Sequence, residues 1–216
     1  AELSNRFLDV KIAQEEDFII QKGVTYIADI KSSPDEILDS YSKSTRYYAR
    51  KAFREKTLKI ETTTDESFVD YYYNQMQGVF QKSGMKPTYS KDRVRLLIRN
   101  LQPTDKLMLS WVRYKDTVIA CRIDIIDGSW MYAFGSPSDR RYLKLRPNEP
   151  LRFHAMRTAS KRGAKYYDLT GGGTYKAKFG AEMVTTHRII YSKFGLYKAR
   201  ELAKKIIKMK NKIQYR

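Results

Sequence analysis

The chain has 216 residues, 42% of them hydrophobic, with one cysteine and a formal net charge of +18 from 42 Lys and Arg against 24 Asp and Glu. That apolar content supports one packed core and excludes a disordered chain, while the lone cysteine excludes an internal disulfide or a cysteine-based zinc site. No stretch reaches the roughly 18 to 20 uncharged apolar residues of a membrane span, and excess positive charge on this scale points to a polyanionic partner: nucleic acid, a phosphorylated metabolite or an anionic membrane surface.

The first residues, AELSNRFLDV, lack the basic-then-apolar layout of a signal peptide, which makes the cytoplasm the expected compartment. No repeat, low-complexity tract or Pro/Ser linker divides the sequence. The expectation is therefore a single domain over 24–216, preceded by an extension or the remnant of another domain over 1–23. VTYIADI (24–30) has strand composition. SSPDEILDSYSKSTRYYARKAFREK opens as a helix should, with Ser33 as cap, Pro34 in the first turn and Asp35 and Glu36 at the positive end of the dipole; it is predicted to run to about Lys56.

A short strand at LKIE (58–61) follows. Thr64 is then the predicted cap of a helix ending at Gly84, in which Phe68, Tyr72, Met76 and Phe80 recur every four residues as one apolar stripe. Of the tyrosine triplet 71–73, one ring is expected in the core and the others toward an acceptor. SKDRVRLLIRNL (90–101) is a further helix capped by Ser90. The period then changes to two through KLMLSWVRY, TVIACRIDII and SWMYAFGS, an antiparallel meander with a turn at Asp127-Gly128. Cys121, inside the second of these runs, reads as a small buried hydrophobe.

NEPLRFHAMRTASKRG (148–163) is predicted as a helix capped by Asn148 and stopped by Gly163. It leads into the buried strand AKYYDL, and a helix crossing between strands implies a parallel neighbour. HRIIYSKF supplies one more strand. LYKARELAKKIIKMKNKIQYR closes the chain as an amphipathic helix with Leu202, Ile206, Met209 and Ile213 on one side and eight basic residues against one acid. Its pattern suits a packed helix with a basic exterior, an anionic membrane surface or RNA. The whole is an α/β layer architecture with a mixed sheet.

The chemistry concentrates in YYDLTGGGTYKAKFG (166–180). Three successive glycines cost about 0.5 to 1 kcal/mol each relative to alanine, so they are kept for positive φ or for close approach of the backbone to something. A loop at a strand end is where ligands of open α/β sheets collect, and Tyr175, Lys176 and Lys178 give it a donor-rich lip suited to a phosphate or a developing oxyanion. Arg46, Arg50 and Arg54, four residues apart, form one guanidinium ridge, either a phosphate site or a solvated basic face. His154 and His187 have no acid or second ligand at a telling spacing and read as structural; no metal site is expected.

YYDLTGGGTYKAKFG resembles the C-terminal signature of the FemABX-like branch of the GNAT acyltransferase superfamily, peptidoglycan interpeptide-bridge aminoacyltransferases among them. KSTRYYARKA resembles that family's Arg-bearing helix, and LRPNEPLRFHAMRTASKRGAKYYDL its Pro-Asn helix before the Asp strand. The resemblance covers about residues 24–195. It implies the GNAT-like fold, a mixed, mostly antiparallel sheet flanked by helices and splayed at its middle, and an enzyme that joins an amine to an activated acyl group in cell wall biogenesis. It implies no tightly bound cofactor, an acyl donor that is aminoacyl-tRNA or acyl-CoA, and a phosphorylated or lipid-linked envelope precursor as acceptor, with peripheral contact at the inner face of the membrane.

Typical members carry two such domains, and RPNEPLRF stands where ordinary GNAT enzymes place a glycine-spaced pyrophosphate loop. By the same resemblance, Lys176 stabilises the oxyanion or leaving group and Tyr175 is the alternative general acid. Asp168 either orients or deprotonates the amine or serves as a turn acceptor. Arg46 and Arg50 meet phosphates, and Thr170, Gly171, Gly172 and Lys178, with Tyr132 and Asn148, complete the substrate-binding set. A thioester-dependent N-acyltransferase of an amino sugar or polysaccharide precursor, and a catalytically silent RNA- or lipid-binding domain, are the competing readings.

Overall fold

The computed structural model describes residues 2–4, 18–31, 33–81 and 84–190, together with 196–197, 199–200 and 202–203. The strands are β1 (Glu2–Ser4), β2 (Ile19–Asp29), β3 (Lys59–Thr62), β4 (Leu107–Tyr114), β5 (Thr117–Asp127), β6 (Trp130–Gly135), β7 (Tyr166–Asp168) and β8 (Ala181–Ile190). The helices are α1 (Pro34–Asp39), α2 (Lys43–Glu55), α3 (Phe68–Gln81), α4 (Lys91–Leu101) and α5 (Asn148–Lys161). Two compact units are formed, one from Ala1–Val24 with Val184–Arg216 and one from Thr25–Met183. In the first, β1 pairs antiparallel with β8, Glu2 opposite Ile190.

The second unit carries the sheet order β2-β7-β6-β5-β4-β3. Every pairing in it is antiparallel except β6 with β7, which α5 joins by the crossover that parallel neighbours require. Alternation along the strands fills both faces. On one face, Ile37 and Leu38 of α1, Ala49 of α2 and Phe153 and Met156 of α5 pack on Tyr26, Ala28, Met131 and Tyr167. On the other, the predicted stripe of α3 delivers Phe68, Tyr72 and Met76, with Val94 and Ile98 of α4, onto Leu109, Trp111, Cys121 and Ile123. Cys121 is fully buried as expected, and of the tyrosine triplet it is Tyr72 that enters the core. The fold is the mixed, mostly antiparallel α/β arrangement expected of the sequence.

Three local expectations are corrected. The helix predicted from Ser33 to Lys56 is two helices. Ser33 does cap the first, in a capping box with Glu36, but the chain turns at Ser40 to Ser42 because long-range contacts claim that corner. The Ser40 hydroxyl donates to the Ile37 carbonyl at 2.7 Å, the Tyr41 ring goes under the sheet edge-on to Phe179 at 5.3 Å, and the Ser42 N–H donates to the Lys178 carbonyl at 2.9 Å. The corner thus clasps the lysine-bearing lip.

Thr64 caps nothing: α3 begins at Phe68, after a turn in which the Asp65 carboxylate accepts from the Ser67 N–H at 2.8 Å. Asn148 is the first residue of α5 and not its cap, a place taken by Pro147. Ser90 caps α4 as predicted. The strand expected at 187–194 is present over 187–190 as the end of β8, which begins earlier, at Ala181; residues 191–194 lie outside the described residues. Of the predicted C-terminal helix, residues 196–197, 199–200 and 202–203 are helical; Ile206, Met209 and Ile213 lie outside the described residues.

Candidate active site

Beyond Tyr132 and Asp168 the parallel pairing of β6 and β7 ends, and the strands part. The Thr170 hydroxyl reaches across the gap and donates to the Ala133 carbonyl at 3.0 Å. On its other side β6 also leaves register. Ala133 faces Asp124 but Gly135 faces Ile123, so Phe134 is the extra residue of a bulge. The Phe134 ring packs on Tyr89 at 5.2 Å, on the α3 side of the sheet. Gly135 is required by close approach: the Tyr72 hydroxyl stands where the Cβ of any other residue would have to be.

A cavity of about 750 Å³ opens at this splay, between the end of β6, the start of α5 and the loop after β7. Its lining carries six basic side chains, Arg122, Lys144, Arg146, Arg152, Lys176 and Lys178, and one acid, Glu149.

The loop folds as its composition suggests. Asp168 closes an Asx-type turn by accepting from the Thr170 N–H at 2.8 Å, and it also accepts from the Thr25 hydroxyl. Thr170 and Gly171 both adopt left-handed backbone, at φ 51° and 67°, so the glycine relieves the second of two consecutive turns of that hand. This turn directs the carbonyls of Thr170 and Gly171 inward onto the Lys176 ammonium, which donates to both, to Gly171 at 2.8 Å. Lys176 is 7% exposed. Burial holds its pKa below the ordinary lysine value, with Arg152 adding to the shift and Asp168 opposing it.

The cavity collects Tyr175, Lys176, Asn148, Thr170 and Lys178 of the expected set. Tyr175 is 59% exposed, its ring 5.8 Å from the Lys176 ammonium. Asn148 is held between Ser136 and Ser138, at 3.3 and 3.2 Å. Lys178 pairs with the buried Glu149 at 2.9 Å, and Arg146 approaches the same carboxylate at 3.7 Å.

Asp168, Gly171, Gly172, Tyr132, Arg46 and Arg50 are not among the lining residues. Asp168 works as the turn acceptor of its two readings, and Tyr132 stacks on Trp130 at 6.3 Å. Arg46 and Arg50 donate to Asp39 at 2.8 and 3.4 Å, so the predicted ridge is an exposed, paired face. His154 meets Thr62 at 3.1 Å. Among the described residues no three His, Cys, Asp or Glu side chains are grouped so as to hold a metal.

Sequence reasoning missed the inner wall. Arg122 is 0% exposed and forks onto Asp124 through Nε and Nη2, at 2.6 and 2.7 Å; the Tyr167 hydroxyl donates to the same carboxylate at 3.1 Å. Burial pushes the Asp124 pKa up while Arg122 pulls it back. Arg152, 5% exposed, lies over the Phe179 ring at 4.1 Å; burial, then Arg122, lower its pKa to about 10. The available signal was opposite charge at i and i+2 inside the apolar run TVIACRIDII, which puts Arg122 and Asp124 on one face of a buried strand.

A family model described as acetyltransferase (GNAT) domain matches residues 39–178. No curated protein matches the sequence significantly. Among solved structures the fold is similar to that of FemX, with 13% identity and a TM-score of 0.74 over 88% of this chain and 70% of that one. It is also similar to the C-terminal domain of a putative lysylphosphatidylglycerol synthetase from Agrobacterium fabrum, at 10% identity and TM-score 0.62 over 88% of this chain and 66% of that one. The L-PGS of Bacillus licheniformis gives 10% identity and TM-score 0.60, over 93% and 70%. The chain thus spans about two thirds of the length of each. At these identities what is shared is the fold.

Proposed function

The chain belongs to the GNAT acetyltransferase family, and from that premise we propose that it forms an amide by transferring an aminoacyl or other acyl group to an amino group of an anionic cell-envelope precursor. The observation that carries this reading is the cavity at the parted strands: it is lined by six basic side chains and one acid, with Thr170 at the start of the loop and the β6 bulge on its walls. Amide formation needs a positioned acyl carbon, donors for the tetrahedral oxyanion and a proton for the leaving group. In this proposal the main chain at the bulge receives the acyl oxygen, since a bulge takes its extra residue out of the ladder. Lys176, fixed by two carbonyls of its own loop, supplies fixed positive charge to the leaving oxygen. Tyr175, at the exposed rim, is the alternative proton donor. Asp168 acts through Thr170 as a positioning residue that shapes the loop.

The start of α5 favours a donor other than coenzyme A. An anion-binding helix N-terminus offers free N–H groups and the positive dipole end, but here the buried Glu149 carboxylate occupies the first turn with its own Lys178 and Arg146 partners. Aminoacyl-tRNA, one of the two donors that the FemABX resemblance implies, fits this arrangement. The lysylphosphatidylglycerol synthetase name of one similar fold supports an anionic envelope acceptor. Acyl-CoA-dependent transfer to an amino sugar is the second reading; the family model's description, acetyltransferase, supports the acetyl group but names no acceptor.

Incubating the protein with charged tRNA or with acetyl-coenzyme A, each with nucleotide-linked and lipid-linked amino acceptors, separates the two. Amide product from charged tRNA that drops about 10²-fold or more in Lys176→Met supports the reading. Equal turnover by Lys176→Met, or product from acetyl-coenzyme A alone, contradicts it.

A further inference from the structure

We infer that the inner wall of the cavity is a built site for one monoanionic group of the substrate, a carboxylate or a phosphate diester, held by the guanidinium groups of Arg122 and Arg152. The inference rests on the reading of this cavity as the reaction site and names what the substrate must carry into it.

Charge is the first argument. Arg122, Arg152 and Asp124 are all buried, and two guanidinium groups against one carboxylate leave one positive charge in excess on the inner wall, apart from the buried Lys176 ammonium, which two carbonyls of its own loop already hold. A buried ion without a counterion costs several kcal/mol, so a fold retains one where something else supplies the opposite charge. The other nearby acid does not supply it, because Glu149 is shared between Lys178 and Arg146. Nor does the neighbouring phenol, since the Tyr41 hydroxyl donates to the Met156 sulfur at 3.2 Å.

Hydrogen bonding is the second argument, and it is independent of the first. Arg122 spends Nε and Nη2 on Asp124, but its Nη1 has no partner among the described residues; Arg152 lacks one at both Nε and Nη1. Buried donors without acceptors are rare in folded proteins, and three on two adjoining arginines at a cavity wall mark the place of an absent acceptor. Aromatic neighbours hold the wall in place: the Arg152 guanidinium carbon lies over the Phe179 ring at 4.1 Å and over the Tyr167 ring at 5.8 Å. Tyr167 also lies 5.3 Å from the Arg122 guanidinium carbon, so one ring braces both arginines.

The size of the excess sets the ligand's charge. One negative charge balances the wall, and a group that enters dry is best a monoanion with two acceptor oxygens. Carboxylates and phosphate diesters share that chemistry.

The test is binding to the full chain, read as the shift in melting temperature at constant ionic strength with acetate, with dimethyl phosphate and with inorganic phosphate as a dianionic control. The expected result is a saturable rise with one of the two monoanions, which identifies the source, and a weaker one with inorganic phosphate. Arg152→Met is expected to weaken that binding ten-fold or more, and Arg152→Lys, which keeps the charge, to lose less. The exposed Arg141→Met is expected to change nothing. No saturable response in the unaltered chain, or the same response in Arg152→Met, overturns the inference. No turnover is needed. Anion binding without transfer from any donor would defeat the proposed function alone, and transfer that is indifferent to Arg152→Met would defeat the subsite alone.

Discussion

Two pairs of arginines in this protein are opposite in the fold. Arg46 and Arg50 of α2 stand on the surface, both joined to Asp39, with Arg50 also 4.0 Å from Asp35. Arg122 and Arg152 stand inside, with one carboxylate between them and three donors unfilled. Exposed ion pairs of the first kind are worth about 0 to 1 kcal/mol, whereas an uncompensated buried charge costs several. The density of positive charge along a chain therefore says little about where an anion is bound. What marks the place is burial combined with donors that the protein itself does not satisfy.

Substitutions can break or sharpen that contrast. The largest effect is expected at Lys176, the cationic wall nearest the glycine loop: Lys176→Met is predicted to lower the rate of transfer by about 10² to 10³, measured in single turnover with saturating acceptor. Next comes the wall itself. Gly135→Ala drives a methyl into the Tyr72 hydroxyl and is predicted to destabilise the fold by about 1 to 3 kcal/mol in denaturant unfolding, with Tyr72→Phe, which removes that hydroxyl and keeps the buried ring, recovering part of the loss in the double variant. An unchanged midpoint in Gly135→Ala would show that the bulge is not held by that contact.

His154, on the same helix as Arg152, tests whether burial governs charge here as well. Burial, then Arg157, lower its pKa to about 4, with Glu61 opposing. Between that value and the ordinary 6.5 the unfolded chain binds a proton that the native protein does not, so stability rises with pH across this window and is lost as pH falls through it. With the side chain partly exposed, the contribution is about 2 kcal/mol. His154→Gln is predicted to flatten the slope of melting temperature between pH 6.5 and 4; an unaltered slope would assign it to other groups. The smallest effect belongs to the ridge: Arg46→Gln and Arg50→Gln are each predicted to change stability by less than about 0.5 kcal/mol and kcat/KM by less than two-fold. A ten-fold loss in either would move the anion site to α2.

The sequence disclosed what local chemistry decides. Ser90 caps α4, the stripe of α3 points inward, and the meander of β4 to β6 follows from period two and the Asp127-Gly128 turn. It did not disclose what distant contacts decide. The corner between α1 and α2 exists because Tyr41 finds Phe179 and the Ser42 N–H finds the Lys178 carbonyl, partners more than a hundred residues away. The candidate site was legible in the same uneven way. The glycine loop and its lysines announced themselves by composition, and five of the expected residues do meet in one cavity. Arg122 and Arg152 were hidden because each sits between two apolar neighbours, Cys121 and Ile123 for one and Leu151 and Phe153 for the other, where a charge looks like an interruption until the fold gives it a cavity to face. Asp168 makes the turn that was one of its two readings: an acid at a strand end before glycines is what an Asx turn needs, and that turn shapes the loop.

The most direct measurement is a crystal structure of the protein with a non-transferable analogue of charged tRNA's 3′ end and the amine acceptor. The acyl carbon is predicted to lie within the β6–β7 splay, its oxygen toward the main chain at Phe134 and the leaving oxygen toward Lys176. An analogue seated on the Arg46 and Arg50 face of α2, with the splay vacant, would contradict the account.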